Sequence, residues 1–239
     1  MMDLQILSPN KYKILSGSTL KLIACISMLS DHLAKFYFTR FDWANVVWFT
    51  VAGKSISILQ LMVMFGRFAF PLFAFLLVEG FLHTSDRRKY GLNLLVLALI
   101  SEIPYNLMIG HAMLFPIQNV IFTLILGYLA MCSIEYFRKR PVISLALVLI
   151  LFLISRYLQA DHRTAGFVFI LLLYGLRKEK VIQCIVGPVL LEMKAMVFLS
   201  LLLTCMYNDK RGFIKTPFLK YFFYAFYPLH MLIVYFLAR

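Results

Sequence analysis

Two ionisable side chains, Asp31 and His32, stand side by side in the stretch SMLSDHLAKF, which is otherwise fit for a lipid environment. A histidine can gain or lose a proton near neutral pH, as a general base must, and a neighbouring carboxylate favours its protonated form. Because an ionisable group inside a bilayer is costly, we expect the pair to face the bundle interior or a water-filled cavity. The alternative is an interfacial pair, wetted by headgroups at the outer end of its helix.

An arginine opens a second apolar stretch, GRFAFPLFAFLLVEGF, which covers residues 66–81. The planar guanidinium of Arg67 suits a phosphate or a carboxylate, and Gly66 before it predicts a close approach of two backbones. Glu79 follows twelve residues later, about 18 Å along a helix axis, so the two side chains are not expected to pair. Glu79 is either functional or a carboxylate that reaches loop residues near the cytoplasmic face.

Three more polar side chains lie inside apolar stretches. Asn119 and Thr123 are four residues apart and share a helix face, where they could bind a substrate or a neighbouring helix. His230 lies in the last apolar stretch, three residues after Tyr227, and is either a second base or a buried histidine bonded to a tyrosine or a carbonyl. The remaining candidates fall at helix ends or in loops, and we interpret them as such: His83, Glu102, His111 and the turn Asp161-His162-Arg163.

These residue types suit acyl transfer, which needs a base for the attacking amine or hydroxyl and a donor for the charge that develops on the thioester oxygen. The same ionisable groups could form the proton relay of a proton-coupled small-solute transporter, with Asp31 and His32 as its members. A membrane metallohydrolase is a weaker alternative because the sequence has no HExxH motif. A non-enzymatic scaffold would need none of these side chains.

The composition predicts the elements that position these residues. The chain has 239 residues, is 62% hydrophobic and has a mean hydropathy of +0.84, which is typical of a polytopic membrane protein. We expect an all-α transmembrane helical bundle formed by one domain, residues 1–239, with nine spans, or eight if two short ones form a single broken helix. The predicted spans are 18–38, 56–82, 91–109, 117–137, 141–158, 164–176, 181–191, 195–207 and 221–238.

The net charge of +13 follows the loops rather than a nucleic-acid surface. Basic clusters at 87–89, 138–140, 177–180 and 208–211 alternate with less basic loops, and nine spans place all four on the side of the lysine-bearing N-terminus. The positive-inside rule then predicts a cytoplasmic N-terminus and an inner-membrane location. We expect a lipid bilayer and no nucleic acid as partner.

Prolines and cysteines add little chemistry. Pro71, Pro188 and Pro228 lie inside predicted spans, and each is expected to kink its helix by freeing a carbonyl one turn earlier. The four cysteines are scattered singly, without metal-ligand spacing, and are interpreted as buried apolar residues.

The first apolar stretch has no small-residue cleavage site after it, so we expect it to be a retained span.

Five stretches, in order along residues 18–236, resemble the TraX family, conjugal-transfer proteins associated with N-terminal acetylation of F-type pilin. STLKLIACISMLSDHLAKF is similar to the opening helix with its K…MxxDH core, and GRFAFPLFAFLLVEGF is similar to the G-R-x-A-F-P-L-F signature. NVIFTLILGYL, the run that begins at Gly166, and FYPLHMLIV resemble the three later segments. The chain departs from the family at Asp161-His162-Arg163-Thr164, where members often carry Asp-Tyr-Gly.

The resemblance implies a membrane acetyltransferase that uses acetyl-CoA as donor and needs no metal. The implied acceptor is an amine or hydroxyl of a pilin-like N-terminus or of a surface glycan, as in more distantly similar acyltransferases that use a histidine within a membrane bundle. His32 is then the expected general base with Asp31 orienting it, and His230 is a second base or an acyl acceptor. The candidates for donor binding are Arg67, Glu79, Asn119 and Thr123.

Overall fold

A computed structural model of the protein describes residues 12–51, 53–110, 113, 116–191 and 194–239. Within these ranges the chain is mostly helical, as predicted. Its α-helices are α1 (Gly17–His32), α2 (Asp42–Asn45), α3 (Ile58–Gly66), α4 (Ala69–His83), α5 (Arg87–Gly110), α6 (Val120–Tyr136), α7 (Pro141–Tyr157), α8 (Arg163–Gly175), α9 (Lys180–Leu190), α10 (Lys194–Cys205) and α11 (Pro217–Leu237).

Two helical segments are long and apolar enough to cross a membrane: Ile58–His83, which contains α3 and α4, and Arg87–Gly110, which is α5. Shorter apolar helices correspond to the fourth to eighth predicted spans. Nine spans and the cytoplasmic N-terminus remain predictions. The break between α3 and α4 falls at Arg67 and Phe68, one turn before Pro71, where the missing N–H leaves a carbonyl without its helical partner.

The outer surface of the bundle is apolar. On α7, Val142 is 78% exposed and Leu145 is 60% exposed, and α5 exposes Leu92, Leu99 and Ile100 to a similar degree. Soluble monomers rarely expose apolar faces of this extent, whereas lipid-facing helices do so by necessity. The surface therefore agrees with a membrane protein.

The helix that carries Asp31 and His32 is central to the bundle. Ser16 caps the start of α1 by accepting a hydrogen bond from the backbone N–H of Thr19, and the buried face of the helix includes Leu20 and Ala24. After His32 the helix continues as a π-helical turn, Leu33–Tyr37, and then as a 3₁₀ turn, Phe38–Arg40. Single π-helical turns often mark functional positions because they rotate the side chains that follow.

A small hairpin departs from the all-α prediction. Strand β1 (Val47–Val51) pairs in antiparallel fashion with β2 (Lys54–Ser57), in a segment that the sequence predicts as a loop. Every residue of β1 is exposed, including Trp48, and the exposed Trp43 lies just before it. Exposed tryptophans of this kind are typical of a membrane–water interface.

The basic loops gather at one end of the bundle, here called the basic end. The hydroxyl of Tyr128 donates to the carbonyl of Arg87, and Tyr174 bonds to Glu135 while its ring lies under the guanidinium of Arg177. The start of α1 joins this end, because the backbone N–H groups of residues 17 and 18 donate to the carbonyls of residues 210 and 211. The side of the membrane that this end faces is set only by the positive-inside prediction.

Candidate functional site

A cavity of about 680 Å³ lies toward the end of the bundle opposite the basic end, around the last residues of α1. Asp31, His32 and Lys35 enter it from α1 and the following turn, and Arg67 enters it from the break between α3 and α4. The remaining polar wall comes from residues 161–164, which form the end of the loop before α8 and the start of that helix, and the apolar wall includes Phe70. The structure therefore brings together three of the residues that the sequence singled out.

His32 is paired with His230, which lies on the last helix. The Nδ1 atom of His32 and the Nε2 atom of His230 are 2.8 Å apart, and the planes of the two rings are nearly parallel, at 6°. His230 is 3% exposed. The bond draws α1 and α11 together beside the cavity.

The second nitrogen of His230 fixes the direction of this hydrogen bond. Nδ1 of His230 lies 2.9 Å from the backbone carbonyl of Phe226, which can only accept, so Nδ1 carries a proton. In a neutral ring, Nε2 of His230 is then an acceptor, and Nδ1 of His32 donates to it. The lone pair of a neutral His32 is therefore on Nε2, the arrangement that a general base requires.

The carboxylate of Asp31 pairs with a lysine rather than with the neighbouring histidine. Lys35 Nζ lies 2.5 Å from Asp31 Oδ2, one helical turn away. The other oxygen, Oδ1, is buried and has no hydrogen-bond partner among the residues that the structure describes. The orienting contact predicted for Asp31 is thus made by His230, and the free oxygen of Asp31 can accept a hydrogen bond from a ligand.

The close backbone approach predicted at Gly66 is confirmed. A Cβ atom at this position would lie 2.4 Å from the Cβ of Asp31, nearer than side chains tolerate. Ser27 strengthens the same contact, because its hydroxyl donates to the carbonyls of Phe65 and Gly66. The glycine therefore sets the distance between Asp31 and Arg67.

Arg67 ends α3 and points its side chain into the wall of the cavity. Its Nε atom is buried and finds no hydrogen-bond partner in the described parts of the chain. A buried guanidinium N–H without a partner costs stability unless water or a ligand completes it, and the same holds for the free oxygen of Asp31 in the wall of the same cavity. Arg67 and Asp31 could together bind a group that offers both an acceptor and a donor.

The loop before α8 also lines the cavity, which the interpretation as a charged turn did not anticipate. His162 stacks on Phe70 at 4.0 Å between ring centroids and has a left-handed backbone, with φ of 61°. Thr123 anchors the loop by donating to the carbonyl of Asp161 at 2.6 Å. Burial lowers the pKa of His162; the carboxylate of Asp161 opposes this, and the positive charge of Arg67 adds to it.

The other predicted residues lie around the cavity or away from it. The side chain of Asn119 caps α6 and donates to Glu102 at 2.6 Å and to the carbonyl of Ala98. Glu79 lies toward the basic end, next to His83. The contacts of Asn119 and Thr123 are those of residues that join helices, and their donor-binding role, like that of Glu79, stays a prediction. His111 lies outside the described residues.

Among the described residues, no three His, Cys, Asp or Glu side chains form a group that could hold a metal ion. The site instead offers a paired histidine base, a buried carboxylate and a guanidinium around one cavity. Such a set can take a proton from a nucleophile and stabilise an oxyanion. Lys35 was not among the predicted site residues, and His162 was interpreted as part of a charged turn. The sequence marked both only as polar side chains near apolar stretches.

Comparison with known proteins adds two findings. A family model described as TraX protein matches residues 16–238, which is nearly the whole chain. The chain is also 29% identical, over 90% of its own length and 93% of the relative's, to a probable fimbrial assembly protein FimC, serogroup H1, of Dichelobacter nodosus. No solved structure matches it.

Proposed function

This chain belongs to the TraX protein family, and from that membership and the histidine pair we propose that it is a membrane-embedded acetyltransferase. The donor is acetyl-CoA. The acceptor is an amine or hydroxyl, with the N-terminus of a pilin-like peptide favoured over a surface glycan by the similarity to a fimbrial assembly protein. The bundle resides in the inner membrane, which the chain crosses several times.

The observation that carries the proposal is the hydrogen bond between His32 and His230. The tautomer that this bond favours has its lone pair on Nε2 of His32, and His32 lines a cavity together with Arg67 and Asp31. A structural histidine would use both nitrogens within the protein, whereas His32 has a described partner on one nitrogen only, Nδ1.

In the proposed reaction the acceptor nitrogen or oxygen attacks the thioester carbon while its proton passes to Nε2 of His32. His230 accepts the hydrogen bond that holds the imidazole and stabilises the charge on it. The C–S bond then breaks, and the proton on His32 goes to the departing thiolate. Arg67 lies at the same cavity as His32, which favours a role at the thioester oxygen over a role at the CoA phosphates.

The free oxygen of Asp31 would receive an N–H of an amine acceptor. Lys35 pairs with the other oxygen, so the carboxylate is held in position while it does so. The loop that carries His162 forms another part of the cavity wall.

The test is acetyl-CoA binding, followed by transfer, with detergent-purified protein. We expect acetyl-CoA to raise the melting temperature of the wild type to a plateau, and Arg67→Ala to lose that response, because the ligand then lacks a charged contact. Arg138→Ala removes the same charge from an exposed loop and is expected to respond like the wild type. Radiolabelled acetyl should then appear on a peptide with a free N-terminus.

A folded wild type that shows no stabilisation at millimolar acetyl-CoA would contradict the proposal. Proton-driven solute uptake by reconstituted vesicles, lost in Asp31→Asn and His32→Ala, would instead establish the transporter.

A further inference from the structure

A second cavity, of about 140 Å³, continues from the first toward the basic end. Five residues belong to the walls of both cavities: Met28, Phe73, Val120, Leu124 and Tyr227. The two cavities therefore adjoin along α1 at these five residues, called here the partition, and together they are called here the passage. Cys25 lines the second cavity one turn before the partition, and His32 lines the first cavity one turn after it.

The two halves differ in chemistry. The half near His32 carries several charged side chains, whereas the second half is lined by leucine and aromatic side chains, with Lys21 at its far end. Lys21 lies over the rings of Phe223 and Tyr224, at 5.7 and 5.8 Å from their centroids. Lys21 and His32 are eleven positions apart, which is about 16 Å along the helix axis.

Arg211 and Lys220 lie on the two segments that border Lys21. The Ser18 hydroxyl, three residues before Lys21, donates to the carbonyl of Arg211. Lys220 lies on α11, one turn before Phe223 and Tyr224, whose rings Lys21 contacts. Three cationic residues at one end of a cavity produce a positive potential there, which favours the binding of an anion. These three residues are called here the cationic mouth, at the basic end of the passage.

The cationic mouth is held in place by a network of hydrogen bonds. The Ser18 hydroxyl donates to the carbonyl of Arg211 at 2.5 Å and accepts from the backbone N–H of Ile214 at 2.9 Å. The backbone N–H of Asn208 donates to the carbonyl of Leu15. Gly212 has φ of +86° and passes so close to Ser16 that a Cβ would lie 2.2 Å from its hydroxyl oxygen. The loop that carries Arg211 is thus fixed against the start of α1.

We propose that this passage is the port of the acyl donor, a thioester on a phosphopantetheine arm that ends in a diphosphate. The diphosphate binds the cationic mouth, the narrow arm lies in the apolar half, and the thioester passes the partition at Met28 to reach His32. This inference rests on the proposed function and extends it. The donor enters at the basic end and the acceptor enters at the other, so the acetyl group crosses the bundle while CoA remains where it entered.

The first test compares two donors that differ in the diphosphate. Acetyl-CoA and acetyl-pantetheine share the thioester and the arm, but acetyl-pantetheine lacks every phosphate. In Lys21→Gln and in Lys220→Gln, we expect the Kd of acetyl-CoA to rise about 10-fold, since each loses one charge-assisted contact. The Kd of acetyl-pantetheine should stay unchanged. Lys178→Gln, an exposed lysine of another basic loop, is the control that changes net charge alone and should alter neither.

The second test locates the arm through Cys25. In a variant that keeps Cys25 and has alanine at the other three cysteines, we expect acetyl-CoA to slow modification by a small methanethiosulfonate at least 10-fold. Cys132 is half-buried on α6 and lines neither cavity, so a variant that keeps only Cys132 should react at the same rate with and without donor.

The outcomes separate this inference from the proposed function. If acetyl-CoA stabilises the wild type but neither lysine variant weakens its binding, or Cys25 reacts at an unchanged rate, the port is wrong and the acetyltransferase stands. If acetyl-CoA neither stabilises the wild type nor donates its acetyl group, both are overturned. Unliganded melting temperatures show that each variant is folded.

Discussion

His32 and His230 lie 198 positions apart in the sequence and share a 2.8 Å hydrogen bond between Nδ1 and Nε2. The bond joins the first and the last helix of the bundle next to the polar cavity. Its direction is set by the carbonyl of Phe226, which holds the proton of His230 on Nδ1. One histidine thereby orients the other and leaves Nε2 of His32 free to act on a ligand.

The pair predicts unequal and non-additive effects of substitution. His32→Ala is expected to lower kcat of acetyl transfer about 10²–10⁴-fold, because it removes the base. His230→Ala should cost less and should also shift the pH profile of kcat, since the base loses its orienting acceptor. The double variant should be no slower than His32→Ala alone. Steady-state transfer assays check this, and additive losses would contradict it.

Gly66 is expected to be intolerant of even one methyl group. The added Cβ of Gly66→Ala would meet the Cβ of Asp31 at 2.4 Å, so α1 and α3 must separate, at a cost of about 1–3 kcal/mol. At the end of α8, the same substitution in Gly175→Ala would meet no described heavy atom within 4 Å and is the control. Melting temperatures in detergent measure both, and equal values would show that the contact is not tight.

Alanine is expected to destabilise the protein more at Gly212, in the loop that carries Arg211, than at Gly53, although the two glycines have similar backbone conformations. Gly212 and Gly53 have φ of +86° and +76°, so alanine costs about 1–2 kcal/mol of backbone strain at either. Only at Gly212 would the new Cβ also collide, at 2.2 Å, with the hydroxyl of Ser16. We expect Gly212→Ala to lower the melting temperature more than Gly53→Ala, and the reverse order would contradict the tight contact.

Acidic pH is expected to destabilise the protein partly through His162, in the loop between α7 and α8. Burial lowers the pKa of His162 below its ordinary value of 6.5, against the opposing effect of Asp161. Below about pH 6.5 the unfolded chain therefore binds a proton that the folded chain does not. The free energy of unfolding is thus unaffected by His162 above about pH 6.5 and decreases as the pH falls below that value. Lowering the pH from about 7.5 to about 5.5 should reduce the melting temperature less in His162→Gln than in the wild type. An equal reduction in both would exclude this contribution.

Much of the architecture could be predicted from apolar runs. Each predicted span has a helix in the structure. The close approach at Gly66 and the helix break before Pro71 were also predictable, because a missing side chain and a missing N–H act on immediate neighbours. The hairpin at Val47–Ser57 was not predicted, since its strands form from exposed residues with no alternating pattern. The number of spans is still decided by hydropathy and charge alone.

The candidate site also has features that the sequence predicted and features that it did not. The sequence by itself determined which side chains are too polar for lipid, Asp31, His32, Arg67 and His230 among them, because the cost of burying a charge depends on residue type and local hydropathy. Only the tertiary structure decided their partners. His32 bonds to His230 rather than to Asp31, Asp31 bonds to Lys35, and His162 joins the cavity, because these contacts depend on how helices distant in sequence pack together.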